Sequence, residues 1–193
     1  MSKAEIYPGF QDRETRTGEK GAFENGQRLD VVGRKLKVGE KAPDFSLLKV
    51  DPGSDETALV SLSQMPDKYL LYLVNSFGTP VCASEARQCE DISKTLRDNG
   101  DVIPIFGVSN DDPSFLRDWM KEDGITNPIL SVPKDNNFGP NYGVLIPAYD
   151  GQLQRSLFGI VSGKLVYTEY VYDQGELLPN FVAAVRAIFM EQA

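Results

Sequence analysis

The chain of 193 residues contains no histidine. That absence removes every mechanism built on an imidazole: Ser-His-Asp hydrolysis, Cys-His proteolysis, and zinc or haem held by histidine. Cysteine is almost as scarce, with Cys82 and Cys89 the only two. They form no Cys-x-x-Cys pair, which disfavours a thioredoxin-type disulfide reductase, and two thiols make no zinc site of the usual kind. Positive charge is also in deficit. Lys plus Arg number 20 against 28 Asp plus Glu, for a net charge of −8. A nucleic acid or an anionic membrane surface is therefore not the expected partner. No run approaches the roughly 20 apolar residues of a membrane span. The first twenty residues are polar and lack the apolar core of a signal peptide, so a cytoplasmic location is expected.

What remains is ordinary for a soluble globular protein: 41% hydrophobic and 25% charged residues, with enough length to bury a core without staples. Residues 1–20 read as a flexible polar arm and residues 21–193 as one domain. One stretch organises that domain. Tyr69-Leu70-Leu71-Tyr72-Leu73-Val74 is a short apolar run rich in strand formers and reads as a strand buried on both faces. Asn75-Ser76-Phe77-Gly78 breaks it as a loop. Thr79-Pro80 then starts a helix, with Thr suited to the N-cap and Pro to the first helical position. Cys82 falls in the first turn. Free backbone N–H groups and the helix macrodipole favour a negative charge there, and the thiolate is the nucleophilic form of cysteine. The Thr79 hydroxyl, three residues earlier, is expected to aim at the sulfur.

Around this unit the sequence predicts an Asn25-Gly26 hairpin within 21–32, strands over 44–50 and 58–62, and the helix from Thr79 to about Leu96. A strand over 101–108 contains the awkward Pro104. A helix over 114–122 follows, then a short strand over 127–132 and a helical turn over 136–142. A hairpin of 156–161 with 165–171 precedes a closing helix over 177–190, with Leu178, Phe181, Val182, Val185 and Ile188 or Phe189 inward. Strand, loop, Cys, helix, strand, helix, hairpin and helix is a thioredoxin-like α/β plan: a mixed central sheet with helices on both faces and an N-terminal β-hairpin extension.

With Thr79-Pro80-Val81-Cys82 in this setting, the chain resembles the peroxiredoxin superfamily, closest to its bacterial thiol peroxidase branch. The stretch from Ser131 to Val144 and the strand carrying Arg155 extend the likeness over roughly residues 23–192. The resemblance implies a peroxidase in which the Cys82 thiolate attacks a hydroperoxide and becomes a sulfenic acid. It implies Thr79 and Arg155 as catalytic partners, Val81 and Phe77 at the substrate, no cofactor, a thioredoxin-like or other thiol reductant, and a homodimer touching through an exposed Phe77. Three positions depart from the family pattern. Asn75 stands where the family has proline, Met120 where many relatives carry a resolving cysteine, and Cys89 lies seven residues after Cys82 rather than five. Cys89 is either a core residue or the resolving thiol. A non-enzymatic redox sensor or holdase on the same fold is the alternative function. A phosphatase loop at Cys82–Arg87 is set aside, because four residues separate the pair instead of five and no phosphate-cradling glycines intervene.

Overall fold

The computed structural model describes residues 14–191. In chain order its elements are β1 (Thr15–Arg16), β2 (Ala22–Glu24), β3 (Gln27–Leu29), β4 (Val31–Val32), β5 (Ser46–Val50), β6 (Thr57–Ser61) and β7 (Lys68–Leu73). Then come α1 (Pro80–Asp98), β8 (Ile105–Ser109), α2 (Pro113–Asp123), β9 (Ile129–Ser131), α3 (Phe138–Tyr142), β10 (Leu145–Ile146), β11 (Gln152–Leu153), β12 (Ser156–Val161), β13 (Lys164–Tyr170) and α4 (Phe181–Met190). The main sheet has the order β13-β12-β7-β8-β9-β5-β6, and a smaller one runs β1-β4-β10-β11.

The expected thioredoxin-like plan is the one observed. β7 lies third from one edge, parallel to β8 and antiparallel to β12. Its alternation feeds two cores: Leu70 and Tyr72 enter one, and Tyr69, Leu71 and Leu73 enter the other. The two crossovers, β7-α1-β8 and β8-α2-β9, step across the sheet in the same direction. Right-handed crossovers then deliver both helices to the same face. α4 joins them there through Phe181, Ala184 and Ile188. The opposite face is covered by the short α3, through Phe138 and Tyr142, and by the segment carrying Leu36 and Phe45. Helices thus flank both faces, but unevenly.

Several boundaries differ from the sequence reading. The strand expected from Asp101 starts at Ile105, so Pro104 lies outside the ladder while its carbonyl still accepts from Leu70 N (3.0 Å). The closing helix begins at Phe181 rather than Leu177. Pro179 precedes it, and the Asn180 side chain caps it by accepting from Ala183 N at 3.0 Å. Leu178 and Val182, expected inward, are exposed. The hairpins follow expectation, with Asn25-Gly26 and Ser162-Gly163 both at positive φ as two-residue turns require. Of the expected polar arm, residues 1–13 lie outside the described residues. Residues 14–20 are not loose: β1 pairs with β4, and the buried Arg16 guanidinium donates to Gly33 O (3.1 Å), Gly143 O and Gln154 Oε1 (2.9 Å). A buried cation needs such acceptors, and they hold the segment down.

Gly107 of β8 stands beside Tyr72 of β7 in the parallel ladder. A β-carbon there would lie 2.7 Å from Phe77 Cζ and 2.8 Å from the Tyr72 hydroxyl, both rings being buried. Gly107→Ala is expected to lower unfolding stability by about 1–3 kcal/mol, the usual cost of overpacking a filled core. Urea denaturation measures it, and an unchanged midpoint would contradict this packing.

Candidate active site

The site grows from the end of β7. The loop that follows is pinned from β8's end by Asp111, whose carboxylate accepts from Ser76 Oγ (2.7 Å), Phe77 N (2.8 Å) and Ser109 Oγ (2.9 Å). Asn75, where the family has proline, is buried and donates from Nδ2 to Leu153 O at 2.9 Å. It ties the loop to β11. The chain then turns into α1 with Thr79 as N-cap and Pro80 at the first position. Helix geometry leaves the Val81 and Cys82 amides without an intrahelical carbonyl.

Cys82 is 1% exposed and borders the apolar core beneath α1, yet a cation reaches its sulfur. Arg155, from the residue before β12, donates through Nη2 to Cys82 Sγ at 3.2 Å. The other donors of the guanidinium are also committed. Nε donates to Glu85 Oε2 at 2.8 Å, and Nη1 donates to the carbonyls of Gln174 and Leu177. The Gln174 side chain accepts from Arg155 N at 2.6 Å. A planar fork with every arm occupied has one orientation, and that orientation points one arm at the sulfur.

Glu85 carries the matching charge. It is as buried as Arg155, and its Oε1 has no hydrogen-bond partner among the described residues. Burial raises its carboxyl from an ordinary 4.5 to about 7, against the opposing pull of Arg155. Sequence reading missed this residue, although its spacing betrays it. Cys82, Glu85 and Cys89 follow i, i+3, i+7, and so Glu85 shares the buried stripe of α1. Asp111 was missed as well, being read only as part of a helix start; the neighbouring Asp112 is the residue that caps α2, accepting from Ser114 N at 2.8 Å.

Two expected roles are not met as stated. The Thr79 hydroxyl donates to Ser76 O at 3.1 Å instead of pointing its proton at the sulfur, because the tight turn before the helix offers that carbonyl first. Phe77, expected exposed at the substrate and at a partner, is fully buried. Its ring lies 4.8 Å from Trp119 and edge-on to Tyr72 at 6.0 Å, in the space left by Gly107. It reaches no surface. Cys89 lies on the same unbroken helix as Cys82, two turns on and roughly 10 Å along the axis. It is fully buried. Burial, then the charges of Glu85 and Glu90, push its thiol well above the ordinary range.

Above Arg155 opens a cleft of about 600 Å3 whose lining includes Thr79, Val81, Asn75 and Gln174. Among the described residues no group of His, Cys, Asp and Glu is arranged to hold a metal ion, and no helix is long and apolar enough to cross a membrane.

A family model described as Redoxin matches residues 37–185. The chain is 35% identical over 162 residues to a thiol peroxidase of Listeria monocytogenes, a match covering 82% of this chain and 92% of that one. Among solved structures, a thiol peroxidase from Chromobacterium violaceum superposes with a TM-score of 0.75 at 18% identity, covering 89% of this chain and 97% of that one. A peroxiredoxin-like protein from Aquifex aeolicus gives 0.73 at 24% identity, with 92% and 98% covered. The chain belongs to the Redoxin family.

Proposed function

We propose that this protein is a thiol-dependent peroxidase acting through Cys82. The observation that carries the reading is the guanidinium of Arg155 held 3.2 Å from the Cys82 sulfur in a water-poor site. A fixed cation and free helix amides favour the thiolate without any imidazole. The thiolate attacks the terminal oxygen of a hydroperoxide, the O–O bond breaks, and the sulfur becomes a sulfenic acid. Arg155 stabilises the charge that develops on the leaving oxygen, which departs as water or an alcohol after taking up a proton. Thr79 complements this. With its proton given to Ser76 O, its oxygen is left as an acceptor, suited to receive the O–H of the incoming peroxide. Val81 lines the approach.

The sulfenic acid is then reduced by thiol from a separate donor. Support for this one-cysteine cycle is the continuity of α1 across both thiols. A disulfide needs Cα atoms within about 7 Å, so pairing Cys82 with Cys89 would demand unwinding two turns. A homodimer that met beside this site would have to use the exposed Phe115, close to Gly78, in place of the buried Phe77.

Three measurements test the reading. Peroxide consumption at catalytic protein concentration, with dithiothreitol as donor, should vanish in Cys82→Ser; turnover that persists there sinks the mechanism. Cys89→Ser should keep turning over. After one equivalent of peroxide without donor, the wild type should yield a dimedone adduct at Cys82, and an intramolecular disulfide by mass spectrometry would instead make Cys89 the resolving thiol. The third concerns Glu85. Its carboxyl is raised on folding, so the folded protein holds a proton there that the unfolded chain has released between 4.5 and about 7. Stability due to this group therefore falls as pH rises through that window. Compared with Glu85→Gln by urea denaturation, the wild type should lose ground steadily from about pH 5 to 7 and then level off. A stability difference that stays flat would refute the assignment.

A further inference from the structure

Resting on that peroxidase reading, we infer that the cleft over Arg155 selects uncharged hydroperoxides and turns away those that carry a carboxylate. At about 600 Å3, the cleft far exceeds what hydrogen peroxide fills, since a water's share of liquid volume is about 30 Å3. There is room for an organic body. Val81, Ala148 and Tyr149 offer that body apolar surface. Glu24 and Asp150 stand on the same lining, and desolvation together with the nearby Glu24 carboxylate holds the Tyr149 phenol above its ordinary range.

The charges do not balance in favour of an anion. Among the described residues Arg155 is the one cation lining the cleft, and Glu85 already matches it at 2.8 Å. Glu24 and Asp150 are left without a counter-charge on that lining. The adjoining hollow shares Asp150 and Tyr149 and adds Lys134, but it adds Asp111 as well. The net charge of −8 supplies repulsion at longer range. A substrate carboxylate entering here would meet two like charges within about a Debye length, and the described residues lining the cleft offer it no cation besides the already paired Arg155.

The test compares two molecules that differ only in charge: a tertiary alkyl hydroperoxide with a terminal carboxylate, and its methyl ester. At low salt the wild type should favour the ester in kcat/KM by roughly three- to tenfold, the size expected of partly screened charges. The preference should shrink towards one in about 0.5 M sodium chloride, where the Debye length is only a few ångströms. It should shrink likewise in the double variant Glu24→Gln/Asp150→Asn. If that variant fails to fold, the salt series on the wild type decides alone. Equal consumption of both molecules at low salt, or a preference that neither salt nor the double substitution moves, overturns the selectivity. Consumption of neither overturns the peroxidase reading, and this inference with it.

Discussion

A buried guanidinium that touches a buried sulfur sets the terms for everything near it. Arg155 is almost wholly removed from water. Such a charge is tolerable only if it is paired and every donor is satisfied. Glu85 supplies the counter-charge, the carbonyls of Gln174 and Leu177 occupy a second arm, and Cys82 takes the third. Breaking a buried pair of this kind costs about 3–5 kcal/mol, because the survivor is left charged and alone. The same constraint reaches further along the chain. Gln154, the residue before Arg155, is gripped by Arg16 and bonds Val171 O at 2.9 Å. Two arginines from distant parts of the chain therefore fix adjacent residues at the start of β12, and the sulfur's partner inherits that rigidity.

The path from sequence to site was legible where the information is local. An apolar run too short for a helix, a polar break, and Thr-Pro before a thiol are properties of about a dozen consecutive residues, and β7, its loop and α1 follow from them. Arg155 could be named only through resemblance, since nothing in Gln154-Arg155-Ser156 distinguishes it from a solvated strand arginine. Glu85 drew no attention, since a glutamate on a helix is solvated by default. What buries it comes from Arg155, 70 residues away. Phe77 failed for the same reason. A loop aromatic is exposed by default, and the space that admits it is made by a glycine on the next strand. The limits of α4 were misplaced because apolar Leu177 and Leu178 continue the helical pattern past Pro179, which the chain does not allow within a helix.

The absence of histidine gives the site an unusual titration. A guanidinium keeps its charge at any physiological pH. Serine and threonine hydroxyls do not titrate either. The group in this cluster that changes charge near neutrality is a carboxyl displaced by burial, Glu85, raised to about 7. It does what an imidazole often does elsewhere, changing the field around the Cys82 sulfur between mildly acidic and neutral conditions. It acts from behind the arginine, not on the substrate.

That placement also sets the two thiols of one helix in different surroundings. Cys82 has the cation within hydrogen-bond distance and lies in the first turn, where the amide groups are free. Cys89 lies two turns deeper with no such partner, and its surroundings are apolar side chains with the carboxylates of Glu85 and Glu90 beyond them. Each influence on it opposes ionisation. Glu85 stands between the two on the same stripe. By anchoring Arg155 it serves the first thiol, and by its own charge it suppresses the second. The two sulfurs thus meet different surroundings according to which side of one carboxylate each occupies, as the proposed division into nucleophile and core residue requires.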